Sequence, residues 1–276
     1  MYMKLKDGKS KVLTFSYDDG WVYDNELVAI FNKYGMKATF NLNSNRYLPE
    51  DSERESYKGK LKLSECKELY LKHGHEVAIH GFTHPFLERL KTPEVLTEIL
   101  EDRVAVEREY GVITRGMAYP YGTYSDTVLE ALRMSGVAYS RTCKTTEKFH
   151  FPANWLELHP TCHHNNPRLM ELAQNFVEKM PDHNYYINCM FYVWGHSFEF
   201  NRNKNWDVIE EFCQYMGGRD DIWYATNIEI YDYVKAYESL QVSVDKKIVH
   251  NPSAIDVWFV ENKEVYCVKA GQTIRI

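Results

Sequence analysis

Val12-Leu13-Thr14-Phe15-Ser16-Tyr17-Asp18-Asp19-Gly20 is an apolar run that ends in two carboxylates and a glycine. It reads as a buried strand. Successive strand residues point to opposite sides, so Asp18 and Asp19 are expected to do different jobs. One can grip a metal while the other faces a water or a substrate. Gly20 lets the chain turn sharply away from the strand end.

Outward from this run, strand-like and helix-like stretches alternate. Strands are predicted over residues 11–17, 38–43, 76–79, 116–119, 137–140, 186–194 and 222–225. Helices are predicted over 24–33, 64–72, 93–109, 125–134, 168–179, 206–215 and 227–237, with Ser64 read as the cap of the second. Residues 48–60 read as a polar loop. This rhythm predicts an α/β fold, a distorted (β/α) barrel of about seven parallel strands with outer helices, over residues 1–240. Beyond Leu240 the pattern changes to short antiparallel strands with turns at Asn262-Lys263 and Gly271, so residues 241–276 read as a small β-rich C-terminal extension.

The chain has 276 residues and a formal net charge of −6, and it carries no basic block. Nucleic acid is therefore not an expected partner. Its apolar runs fall short of a membrane span, and its N-terminus has no apolar segment of signal-peptide length. Six scattered cysteines without a Cys-x-x-Cys pair read as reduced thiols. A cytoplasmic location is the resulting expectation. Oligomeric state is not legible.

In such barrels catalytic groups gather at the C-terminal ends of strands. Five strand ends deliver polar groups: Asp18-Asp19, His80 with His84, Tyr119-Pro120-Tyr121-Gly122, Arg141, and Gly195-His196. The pair His80 and His84, in a loop with Gly81 and Pro85, can reach one metal. With a nearby aspartate it makes a three-ligand set that leaves a position for water. Thr161-Cys162-His163-His164 is rich in ligand types, but lies before Pro167 in a predicted loop; a second metal site there is disfavoured, and a substrate-contacting role for His163 or His164 stays open. Trp155 reads equally as a core residue or as a wall of an acyl pocket.

Thr14-Phe15-Ser16-Tyr17-Asp18-Asp19-Gly20 resembles the first motif of the NodB-type polysaccharide deacetylases, carbohydrate esterase family 4. His80-x-x-x-His84 resembles the second motif, Tyr119-Pro120-Tyr121-Gly122 the end of the third, and Trp194-Gly195-His196 the fifth. The resemblance spans roughly residues 10–235 and implies the NodB homology fold. It further implies that Asp19, His80 and His84 hold one divalent ion, zinc first, with cobalt, nickel or manganese also suited. Asp18 is then the general base, His196 the acid, and the Tyr121 backbone N–H an oxyanion donor. The implied reaction is removal of N-acetyl groups from an amino-sugar polymer or oligomer.

Three departures from the family pattern stand out. Ala118 occupies the place of an arginine that pairs with the base, and Arg141 is expected to supply that guanidinium. Gly81 replaces a hydroxyl residue, for which Thr83 could compensate. Asn154-Trp155 stands where an acid precedes a tryptophan, leaving Glu157 or Glu199 to orient His196. The alternatives are hydrolysis of another small C–N bond, as in a ureide or cyclic imide, or an inactive carbohydrate-binding protein. A glycosidase using Asp18 and Asp19 is disfavoured, because neighbours on one strand would face opposite sides.

Overall fold

The computed structural model describes residues 1–47, 59–179 and 187–276. Most of the polar segment expected as a loop over residues 48–60, and position 186 at the start of the sixth predicted strand, lie outside the described residues.

Strand β1 (Tyr2–Lys4) precedes the central β2 (Lys11–Asp18), and all eight residues of β2 are buried. Then follow α1 (Asp24–Lys33), β3 (Ala38–Leu42), α2 (Leu63–Leu71), β4 (Glu76–Ile79), α3 (Thr92–Tyr110), β5 (Gly116–Ala118), α4 (Asp126–Met134) and β6 (Tyr139–Arg141). The second half contains β7 (Cys162–His163), α5 (Leu169–Gln174), β8 (Cys189–Gly195), α6 (Ser197–Asn203), α7 (Trp206–Met216), β9 (Ile222–Tyr224) and α8 (Asn227–Glu238). The C-terminal part adds β10 (Gln241–Val242), β11 (Ile248–His250), β12 (Val257–Glu261), β13 (Glu264–Val268) and β14 (Thr273–Arg275).

The parallel sheet runs β6-β5-β4-β3-β2-β8-β7. Strand β8 takes one edge of β2 along Lys11–Tyr17, and the other edge is divided. Its upper part, Phe15–Asp18, pairs with β3, and its lower part, Lys11–Leu13, with β9. The sheet is twisted and curls into a distorted (β/α) barrel, with β9 rejoining β2 below β3. Residues 158–163 nearly bridge the open side. Leu158 forms a single parallel bridge with Arg141, and β7 then pairs with β8. This stave was not among the seven expected strands, because two residues carry no periodicity.

Local chemistry sets the helix ends. Ser125 accepts from Val128 N–H at the start of α4, and Thr226 with Glu229 forms a reciprocal capping box on α8. Helix α2 begins one residue before Ser64. There the Glu65 carboxylate accepts from Lys62 N–H at 3.0 Å, correcting Ser64 as the cap.

The extension forms two small antiparallel sheets, with Asn262 and Lys263 both left-handed at the β12–β13 turn. The expected boundary at 240/241 does not hold for one strand. Residues 2–4 leave the barrel portion, and β1 pairs antiparallel with β12. Tyr233 of α8 joins the two parts, donating to Lys4 O at 2.7 Å and accepting from Trp258 N–H at 3.0 Å.

Candidate active site

Asp18 is the last residue of β2 and is 2% exposed. Arg141, fully buried at the end of β6, donates to its Oδ2, and Asn41 of β3 donates to its Oδ1 at 2.8 Å. Ala118 and Arg141 are register partners on adjacent strands. The guanidinium therefore arrives one strand over, at the same height as the alanine. Arg115 instead pairs with Asp232 of α8 at 2.6 Å. Burial alone would raise the Asp18 pKa, but Arg141, then His80 and His196, hold it below the ordinary carboxylate value.

Asp19 does not continue the strand. Its φ is +79°, so the chain turns and the alternation of sides ends at Asp18. Both carboxylates thus serve the same rim, which corrects the expectation that they face opposite sides. One ligand atom each from Asp19, His80 and His84 lies within 4.8 Å of the other two. His80 Nδ1 donates to Ala118 O at 2.7 Å, which leaves Nε2 with a free lone pair. Asp19 Oδ1 and His84 Nδ1 are buried with no hydrogen-bond partner. Burial keeps both imidazoles below their ordinary pKa, His84 at about 4, so both are neutral at pH 7 as ligands must be. Two neutral imidazoles and one carboxylate fit a divalent transition ion. Left-handed backbone at a non-glycine residue is costly, and Asp19, His84 and Tyr121 all adopt it at this rim.

His196 directly precedes α6, and its Nε2 lies 3.8 Å from Asp18 Oδ2, with His80 Nε2 at 3.7 Å from the same oxygen. Its Nδ1 lies 3.8 Å from Glu199 Oε1, one helical turn on. Burial would lower the His196 pKa, but Glu199, Asp18 and Asp19 outweigh it and raise the value. Glu199 is also approached by His163 Nε2 at 3.0 Å and His164 Nε2 at 3.2 Å. Burial would raise its pKa too, yet His163, His164 and His196 keep it well below the usual range. A Cβ on Gly195 would fall 2.0 Å from His164 Nδ1, so only glycine fits before His196.

Other expected residues lie elsewhere. Trp155 packs edge-on against Tyr231 of α8, with ring centroids 5.2 Å apart, within the lower apolar cluster rather than at an acyl pocket. Glu157 is taken by Tyr124 and Asn154, which leaves Glu199 as the carboxylate beside His196. Thr83 binds Glu98 through both N–H and hydroxyl, away from the rim. Gly81 sits at φ +77°, where glycine is favoured, and a Cβ there would press on Pro120 Cγ at 3.1 Å. Sequence reasoning passed over Asn41, Lys60 and Trp194. Lys60 Nζ donates to Asp19 O at 2.6 Å, and the Trp194 ring lies 4.4 Å beneath the Arg141 guanidinium. Trp194 stood inside a quoted motif and could have been found there.

Residues 5–140 match the sequence profile described as Polysaccharide deacetylase. Peptidoglycan-N-acetylmuramic acid deacetylase PdaC of Bacillus subtilis (strain 168) is 29% identical over 132 residues, covering 46% of this chain and 25% of PdaC. The chain thus spans about a quarter of the length of this curated relative. Among solved structures, a putative polysaccharide deacetylase from Mycobacterium smegmatis aligns with a TM-score of 0.59 at 16% identity, covering 86% of this chain and 95% of that one. The structure of PdaC aligns with a TM-score of 0.52 at 18% identity, covering 83% and 94%. A family-4 pseudoenzyme from Bacillus anthracis aligns at 0.51 and 16%, covering 84% and 68%. The segment that carries Asp18, Asp19, His80 and His84 thus matches the polysaccharide deacetylase family, and the chain shares the barrel fold of these solved structures.

Proposed function

We propose that this chain hydrolyses the acetamide of an N-acetylated amino sugar within an oligo- or polysaccharide, releasing acetate and a free amine. The observation that carries this reading is Asp18, a buried carboxylate kept ionised by Arg141 with His80 and His196 to either side. Asp19, His80 and His84 would hold a divalent cation, zinc or alternatively cobalt, nickel or manganese. When bound, that cation supplies a Lewis acid that polarises the carbonyl and makes water more acidic.

The chain's own groups do the proton work. Asp18 takes the proton of the attacking water as the new C–O bond forms, while Asn41 and Arg141 hold the carboxylate in place. The Tyr121 backbone N–H faces the developing oxyanion. His196 passes its Nε2 proton to the departing nitrogen as the C–N bond breaks, and Glu199 steadies the far side of the ring. Without that proton the leaving group would be an amide anion. The half-exposed Tyr121 ring, stacked on Phe86 with centroids 3.8 Å apart, offers an apolar face to a pyranose.

Acetate release from N-acetylglucosamine oligomers and other N-acetylated sugars tests this reading. The protein is assayed after chelation and after reloading with each of the four metals. Release by the loaded protein, lost on chelation and restored on reloading, is expected. Turnover of a ureide or cyclic imide, with no acetate from any sugar, would move the reading to another C–N bond. Sugar binding without any turnover would place the chain among inactive carbohydrate-binding proteins.

A further inference from the structure

A second cleft lies at the seam between the barrel and the C-terminal extension, away from the strand ends that carry Asp18. It has a volume of about 500 Å³ and is lined by Trp223 of β9, Glu229 and Asp232 of α8, Asp256 and Trp258 of the extension, and Lys6 before β2. Trp223 pairs along β2 at Val12, near the start of that strand, whereas Asp18 ends it. The cleft and the rim therefore sit at opposite ends of the barrel.

Both indoles are half-buried, so each packs on the core while keeping part of its ring open to the cleft. Trp223 is braced edge-on by Tyr233, with centroids 5.4 Å apart. Two of the carboxylate walls are paired with cations, and Glu229 and Lys6 add one charge of each sign. Arg115 holds Asp232 at 2.6 Å, and Lys269 holds Asp256 at 2.8 Å. Neutralised carboxylates remain good hydrogen-bond acceptors but exert little net field. That combination disfavours a phosphate or a free cation. The exposed parts of two indoles, Trp258 with Lys269 Nζ 5.7 Å over its ring, and the fixed acceptors between them suit a neutral polyhydroxylated ring, whose C–H face stacks while its hydroxyls donate.

We propose that this cleft is a second carbohydrate site, which takes neutral pyranose units of the same chain that the rim acts on. The identity of the ligand rests on the deacetylase reading; the cleft does not. The extension then has a definite task, since it contributes Trp258 and Asp256. A glycan anchored there keeps a long substrate near the rim, and a short one gains nothing.

The test uses full-length protein carrying Asp18→Asn, titrated with an N-acetylglucosamine hexamer. The indole ¹⁵N–H signals of Trp223 and Trp258 are followed by NMR, and stoichiometry is measured by calorimetry. Both indole signals are expected to shift, and Trp258→Ala or Trp223→Ala is expected to lose that binding event with the fold retained by circular dichroism. In the otherwise unaltered enzyme, Trp258→Ala should leave acetate release from a soluble trimer unchanged and lower release from a polymer several-fold. Unmoved indole signals, or hexamer binding indifferent to both variants, overturn the proposal. Should indole shifts occur while no N-acetylated sugar is ever hydrolysed, the cleft stands and the catalytic reading falls.

Discussion

Six carboxyl groups among the described residues of this barrel are largely held out of water, and they divide by their neighbours. At the strand C-terminal ends, Asp18, Asp19 and Glu199 all stay well ionised. Asp24 and Asp102, which lie just behind that rim, and Glu76, which starts β4, are each pushed up to about 7. Burial acts on every one of them in the same direction. The difference lies in the neighbours. The rim groups face a guanidinium, an ammonium or several imidazoles. The others are held by hydrogen bonds from neutral donors, such as the Tyr70 hydroxyl on Asp24, the Tyr139 hydroxyl on Glu76 and the Ser44 hydroxyl on Asp102, and on Asp24 burial outweighs the pull of Lys60 as well. Neutral hydrogen bonds satisfy a buried carboxyl without keeping it charged. Among these six, the charge therefore stays on the three that face cationic or imidazole neighbours at the rim.

The sharpest way to break this comparison is to remove a rim charge. Asp18→Asn should cut acetate release by about 10³-fold at saturating metal, as expected for loss of a general base. A change below tenfold in kcat would take the base role from Asp18. Next comes the cation that keeps it charged. Arg141→Met leaves a buried carboxylate unpaired and should cost about 3–5 kcal/mol in chemical denaturation at pH 7. The Asp18 pKa is depressed in the fold, so the pair's contribution is present above about 3.8 and is lost as pH falls through the folded value. Wild type and variant should therefore converge in acid, and the acid limb of the activity profile should move to higher pH in the variant.

The opposite region gives the converse experiment. Glu76 has a folded pKa raised to about 7 from 4.5, so its contribution is full below 4.5 and is lost as pH rises through 7. Wild-type stability should carry a falling component across that window, and Glu76→Gln should flatten it without changing activity. A variant with an unchanged slope would mean that burial does not neutralise Glu76. The smallest effect is expected at Trp155, whose ring packs on α8 far from either carboxylate group. Trp155→Ala should lower stability by about 1–2 kcal/mol and leave KM alone. A raised KM would restore Trp155 to the substrate pocket.

Much of the rim was legible because its parts are short and local. The ends of β2, β4 and β8 carry their functional residues within a few positions of a strong apolar run. The expected pairing of Arg141 with the base also followed from a vacancy in the pattern at Ala118, and the register places the two side by side. Glu199 was harder. It stood as one of two candidates, since a helix of seven residues after His196 gives no periodic signal. Trp155 stayed undecided because a tryptophan beside a polar residue looks alike in a pocket wall and in a core.

From the order of residues alone came the alternating strands and helices, the antiparallel character of the tail, and the set Asp18, Asp19, His80, His84 and His196. Those depend on neighbours within one turn or one strand, where side-chain size, branching and charge act directly. Folding alone decided that β1 leaves the barrel for β12, that β3 and β9 divide one edge of β2, that Asp19 swings back onto the face of Asp18, and which carboxyls keep their charge. Each of those outcomes depends on groups far apart in the chain. Strand pairing, desolvation and the approach of a distant cation are energies of the assembled core, and no short stretch of sequence contains them.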